Sequence, residues 1–113
     1  MSALPRGDVW LADLDPIRGH EQAGRRPVLV VSDDDFNTGP ADLVVVLPMT
    51  STLRSIASRV PVAPPEGGVR QPSMILCEGI RSVSRERLIA RWGSVGPVTL
   101  AAVEDRLRIL LRL

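Results

Sequence analysis

The chain has no lysine and no tyrosine, one histidine, one cysteine and only 3% aromatic residues. A single cysteine, Cys77, excludes a disulfide framework within the chain. With one histidine, no Cys/His cluster of the zinc type can form either. Cys77 lies inside an apolar run and reads as a small buried residue. The three aromatics are Trp10, Phe36 and Trp92. Both tryptophans fall in strand patterns and are expected in the core, whereas Phe36 sits in an acidic stretch and is expected exposed. No apolar run approaches the ~20 residues needed to span a bilayer, and the N-terminus has no signal-peptide core. The expectation is a cytoplasmic protein with no membrane partner. Net charge is +1, which excludes a global basic field, so any nucleic-acid contact must come from a local patch. All 14 basic residues are arginine. That favours planar, two-pronged phosphate contacts, although genome base composition accounts for the same bias equally well.

What is present is a 113-residue chain, 44% hydrophobic. This predicts one domain, residues 1–113, with a small core. Part of the apolar surface is then expected to be covered by a second copy of the chain. There are no internal repeats.

The chain is organised around residues 18–32, RGHEQAGRRPVLVVS. Its first half is a polar loop and its second half an apolar β-branched strand. A loop fed directly into a buried strand holds a functional side chain well, because the strand fixes position while the loop supplies chemistry. Arg26 stands at the junction, and Pro27 restricts it to extended conformations.

Residues 9–14 alternate as a strand, with Trp10, Ala12 and Leu14 on one face. A second strand covers 28–32. Residues 33–42, DDDFNTGPAD, are read as an acidic loop. Consecutive aspartates point different ways, so this is solvated surface rather than a metal site. Residues 43–47 form a central strand, from which Pro48 and Met49 carry the chain out to Thr50 and Ser51. A short strand at 60–62 contains Pro61, which argues for a sheet edge. Residues 63–72 connect. A strand runs from Met74 through Arg81. Ser84 caps a single helical turn to Leu88, and Leu88, Ala90 and Trp92 alternate in a last strand. Thr99 is expected to cap a helix in which Leu100, Val103, Leu107, Leu110 and Leu111 make one apolar stripe. The fold class is mainly β (α+β): a small, curved antiparallel sheet, closed or nearly closed, with a C-terminal helix.

Several motifs stand in a fixed order: RGDVW at 6–10, DLDP at 13–16, G-x-E-Q-x-G-x-R-P at 19–27, and P-x-T-S at 48–51. Later come SMILCE at 73–78 and IRS at 80–82. In this combination the chain resembles the MazF/PemK family of toxin endoribonucleases, over about residues 5–88. The resemblance implies the SH3-like barrel shared by MazF-type toxins and the gyrase poison CcdB. It also implies a homodimer, a groove for single-stranded RNA, and a cognate acidic antitoxin of MazE type. No cofactor or metal is implied.

RNA can be cut by its own 2′-OH if an enzyme removes that proton and stabilises the charge on phosphorus. The resemblance implies catalytic roles for Arg26 and for Thr50. Arg26 has a fork that matches two phosphate oxygens; Thr50 would donate to the same phosphate, as in an oxyanion hole. Glu21 is the candidate to orient or deprotonate the 2′-OH; a plain ion pair with Arg18 or Arg25 explains it equally well. His20 titrates in the useful range, yet a lone loop histidine is more often simply exposed. Arg18, His20, Gln22, Arg25, Ser51, Ser73, Glu78 and Arg81 match positions expected near RNA. Gly79 departs from the family pattern, where a glutamine is common, which leaves the recognised RNA sequence open. With so few aromatics, base recognition must lean on arginine planes and backbone groups. The competing readings are a CcdB-like poison that cleaves nothing, and a degenerate module that only binds RNA or antitoxin. Residues 109–113, ILLRL, carry none of the terminal tryptophan motif of the former.

Overall fold

The computed structural model describes residues 3–14 and 24–113. Seven strands form one antiparallel sheet: β1 Asp8–Asp13, β2 Arg25–Val30, β3 Leu43–Thr50, β4 Arg59–Val62, β5 Ser73–Leu76, β6 Arg81–Ser84 and β7 Leu88–Ser94. Their order across the sheet is β4-β5-β3-β2-β1-β7, with β6 also paired to β3. Among the described residues no ladder joins β6 to β7, so the expected barrel is a curved sheet and not a closed one. The four-residue β6 pairs only with Leu43–Val46 of β3, and a one-turn helix at Arg85–Arg87 then carries the chain across to β7. Ser84 stands at the start of that turn, but its hydroxyl makes no capping bond.

Period-two alternation sorts the apolar side chains onto two faces. Val9, Leu29, Leu47, Met49 and Ile75 face the C-terminal helix and pack with its Val103. Ala12, Val28, Val30, Val44, Val46 and Val83 form a second cluster on the opposite face with Leu14. Trp10 and Leu88 are only partly buried at the margin of this second cluster. Trp92 is 37% exposed, so it is not the core residue its strand pattern predicts.

Several expected boundaries move. β2 begins at Arg25, so Arg26 lies within the strand. β3 runs through Pro48 to Thr50. Proline is tolerated there because it falls between the stretch paired with β6 and the two residues paired with β5. The strand expected from Met74 to Arg81 is split. Unbroken pairing from Met49 and Ile75 would set residue 78 opposite Val46, and Arg81 stands there instead. The extra residues make the one-turn helix Cys77–Gly79. The acidic loop contains a short helix, α1, Asp34–Asn37, capped by the Asp33 carboxylate accepting from Asp35 N at 3.0 Å. Phe36 on it is 40% exposed, as its acidic setting predicts.

The C-terminal helix, α2, spans Pro97–Leu111 with Gly96 as N-cap, three residues before the predicted Thr99. Proline suits the first helical position, where its missing N–H costs nothing. Glu66 Oε2 accepts from Gly96 N at 2.8 Å and supplies negative charge at that end. The predicted stripe is buried only in its first half. Val103 is fully buried, whereas Leu110 and Leu111 are exposed.

At the sheet edge, Ser58 O accepts from Cys77 N, which turns Ser58, Val60 and Val62 inward. Arg59 and Pro61 therefore face outward. Arg59 N is used by Ile56 O at 2.9 Å, and Pro61 has no N–H. The edge expected from Pro61 is thus real and carries no free donor.

Candidate active site

The site follows from register. β2 and β3 pair Val30 with Val46 and Val28 with Pro48. One further step of two residues on the same face sets Arg26 opposite Thr50. Across β1, Arg26 pairs with Ala12, which pairs with Leu88 of β7. Across β5, Thr50 pairs with Met74, which pairs with Pro61 of β4. One row therefore crosses this face: Pro61, Met74, Thr50, Arg26, Ala12, Leu88. The two residues assigned to phosphate chemistry are its centre.

Thr50 is 7% exposed, more enclosed than a groove-surface residue would be. Its Oγ1 accepts from Thr52 N at 3.1 Å. Because that lone pair takes an N–H, the hydroxyl proton is the part left to donate to an incoming oxygen. Arg26 is half-buried, and the ladder to Ala12 fixes its backbone.

The polar segment before β2 is anchored at both flanks. Leu14 N donates to Gly24 O at 2.9 Å, and Asp13 pairs with Arg25. Gly24 has φ +71°, a conformation that favours glycine and turns the chain into β2. Arg18, His20, Glu21 and Gln22 lie outside the described residues. Arg25 is exposed beside Arg26, and Ser51 is exposed next to Thr50.

Arg81 is half-buried opposite Val46, on the same face as Thr50 but two steps along β3. Between them Gly79 lies against Pro48. A Cβ there would stand 2.8 Å from Pro48 Cγ and 3.1 Å from Cδ. The missing side chain is therefore what lets the turn seat on the proline ring.

Ser73 is buried, and its hydroxyl donates to Gln71 O at 2.9 Å. Glu78 accepts from Ser58 Oγ at 2.7 Å and Arg59 Nε at 2.8 Å. Partial burial alone would raise its pKa, but the bonds from Ser58 and Arg59 outweigh this and hold it below the usual glutamate range. Burial pushes the adjacent Cys77 thiol up to about 11, with Glu78 adding and Arg106 opposing, so it stays an uncharged core residue.

Two features left no sequence signal. Arg87 Nη1 donates to Asp13 O at 3.2 Å, tying the turn before β7 to the end of β1. Asp8 is buried, accepting from Trp10 Nε1 at 3.3 Å and from Arg91 Nε at 3.0 Å. The two arginine contacts join residues far apart in sequence, which spacing cannot reveal. Among the described residues, no three of His, Cys, Asp or Glu gather as a metal site. No described helix is long and apolar enough to cross a membrane.

Comparison with known proteins decides the family. Residues 5–111 match the family model described as PemK-like, MazF-like toxin of type II toxin-antitoxin system. The chain belongs to the PemK/MazF toxin family. It is 34% identical over 115 residues to endoribonuclease MazF9 of Mycobacterium tuberculosis, covering 97% of this chain and 98% of that protein. The crystal structure of MazF from Deinococcus radiodurans superposes with a TM-score of 0.87 at 30% identity, covering all of both chains. A mycobacterial endoribonuclease solved in complex with its cognate antitoxin gives a TM-score of 0.81 at 27% identity, covering 98% of this chain and 97% of that one. In this MazF-like chain the whole row from Pro61 to Leu88 falls within the matched residues.

Proposed function

We propose that this chain is a sequence-specific, metal-independent endoribonuclease toxin that cleaves single-stranded RNA and is neutralised by a cognate acidic antitoxin. The observation that carries this reading is the β2–β3 register, which runs to Val28 and Pro48 and, continued by two residues, brings Arg26 and Thr50 to one face of the sheet. Its family membership and its similarity to proteins named endoribonucleases support it.

The scissile phosphate sits between Arg26 and Thr50. The Arg26 fork holds two of its oxygens and strengthens its grip as charge grows on phosphorus. Thr50 donates its hydroxyl proton to the same oxygens, because its acceptor side is taken by Thr52 N. A guanidinium is a poor proton acceptor, so Arg26 stabilises charge on the phosphate and protonates the leaving 5′-oxygen. Glu21 orients or deprotonates the attacking 2′-OH, and His20, its neighbour in sequence, contacts the RNA. Arg18, Gln22, Arg25, Ser51 and Arg81 contact the flanking RNA. Ser73 shares the helix-facing side of β5 with Ile75, and the bonds of Ser73 and Glu78 to Gln71, Ser58 and Arg59 make both supports of the neighbouring backbone. The protein acts in the cytoplasm as a homodimer.

Incubation with a long single-stranded RNA, with and without EDTA, tests the reading. Attack by the 2′-OH leaves a 2′,3′-cyclic phosphate and a 5′-hydroxyl, and EDTA should change nothing. A 5′-phosphate product or a strict Mg²⁺ requirement would make water the nucleophile and overturn the roles of Arg26, Thr50 and Glu21.

A further inference from the structure

The chain passes from β6 to β7 through the turn Arg85–Arg87, and among the described residues no ladder closes that seam. A cavity of about 520 Å³ opens there, within the range of about 300–1,000 Å³ that small-ligand sites occupy. Leu4, Trp10 and Leu88 line it together with Asp42, Ser84, Arg85 and Glu86. Leu4 is buried and Trp10 and Leu88 are partly buried, whereas Asp42 and Glu86 are exposed. The apolar part therefore lies inward and the charges stand at the mouth.

We propose that this cavity binds a small aromatic amine, with its ring on Trp10 between Leu4 and Leu88 and its ammonium at Glu86. Both halves of the site are held in place before any ligand arrives. Trp10 Nε1 donates to Asp8 Oδ2 at 3.3 Å, which fixes the indole, and a fixed ring offers a stacking face to an incoming one. Arg85 N donates to Asp42 O at 3.1 Å and Arg85 Nη1 donates to Asn37 O at 3.2 Å. The Arg85 guanidinium also pairs with the Asp42 carboxylate.

Charge selects the sign of the ligand. The lining carries two carboxylates against one guanidinium, and that guanidinium is already engaged. Asn37 ends α1, which brings Asp34 and Asp35 to the same end of the sheet. A phosphate or a carboxylate would meet net repulsion here, and an ammonium meets attraction. An acidic antitoxin segment is the poorer occupant for the same reason. The cavity is also separate from the phosphate site. Ser84 pairs with Leu43, at the opposite end of β3 from Thr50. Leu88 alone is shared with the row through Arg26, at its far end. Binding therefore stands or falls independently of the endoribonuclease reading.

The test uses two probes that share a ring and differ in charge, 2-phenylethylamine and 3-phenylpropionate. Each is titrated into wild type and Glu86→Lys and followed by NMR on the two tryptophan side-chain N–H signals, with calorimetry for affinity. The amine should saturate with a Kd of about 1 mM or tighter, the scale for so small a ligand. It should shift the Trp10 signal and leave that of Trp92 in place. The propionate should bind clearly more weakly. Glu86 is exposed, so Glu86→Lys should fold, and it should reverse the order of the two probes. Glu86→Gln should weaken the amine about two- to fivefold, the scale of one exposed ion pair. A single-stranded RNA with a 2′-deoxy sugar at the cut site, which cannot be cleaved, should leave the amine bound. No saturable shift at Trp10, equal binding of both probes, or an unchanged order in Glu86→Lys would each overturn the site. Displacement of the amine by the RNA would place it in the RNA groove and overturn it as well.

Discussion

Arg26 and Thr50 illustrate how little freedom the residues at the centre of the row retain. Arg26 is held by its ladder to Ala12 of β1, and Thr50 is almost enclosed, with an acceptor position used locally. Replacing Arg26 by alanine removes a charge-assisted contact made mainly in the transition state. The rate should fall about 10²–10³-fold, the scale for losing one oxyanion-type donor. Arg26→Lys should recover little, because an ammonium cannot make the fork. Thr50→Ala should cost comparably or less, and Thr50→Ser much less, since serine keeps both the donor and the acceptor for Thr52 N. Single-turnover cleavage of one defined RNA measures all four, and the double alanine variant should fall well short of the product of the single effects. A double variant at the full product would mean that the two groups act on different parts of the reaction.

The elements were only partly legible in the amino-acid pattern, and the failures share a cause. Strand interiors were readable because alternation and β-branched runs report burial directly. Pro61 correctly marked an edge, because a missing N–H is a local property. The ends of β3 and the break between β5 and β6 were not readable, because non-local contacts set them. Pro48 stays in its strand only because the neighbouring partners change there, and the Cys77–Gly79 turn exists to absorb that change. Trp92 follows a strand alternation in sequence and is still half-open, because the ladder to β1 skips it at a bulge and β7 is the last strand of its sheet. The seat of Gly79 on Pro48 is therefore the element-scale contact to test. Gly79→Ala puts a methyl group 2.8 Å from a ring that cannot swing aside. Overpacking of this kind costs about 1–3 kcal/mol, so thermal unfolding should come earlier. Pro48 is two residues from Thr50, so cleavage should slow more than the loss of stability accounts for. A variant with unchanged Tm and rate would show that the turn adjusts freely and that the glycine is not required.

At the scale of the molecule the two faces of the sheet divide the work. α2 covers the face turned away from Arg26 and Thr50. It leaves Ile109, Leu110, Leu111 and Leu113 uncovered at its end, with Ile109 at 69% and Leu113 at 84% exposure. A chain of net charge +1 has little repulsion to keep two copies apart. Clustered exposed apolar residues on a small domain mark a contact surface. A second copy is the proposed cover, and the face bearing Arg26 and Thr50 would stay open because the contact lies on the helix side. Burying such side chains contributes about 1.5–3 kcal/mol each, so one charge placed among them should weaken the pair strongly. Ile109→Asp lies on the solvent side of its helix and should leave the fold intact, with an unchanged far-UV circular dichroism spectrum. In sedimentation velocity at micromolar concentration the wild type should run as a dimer and Ile109→Asp as a monomer. A wild type found only as monomer would remove the dimer. A variant that stays dimeric would move the contact off the end of α2, leaving those four side chains to some other cover.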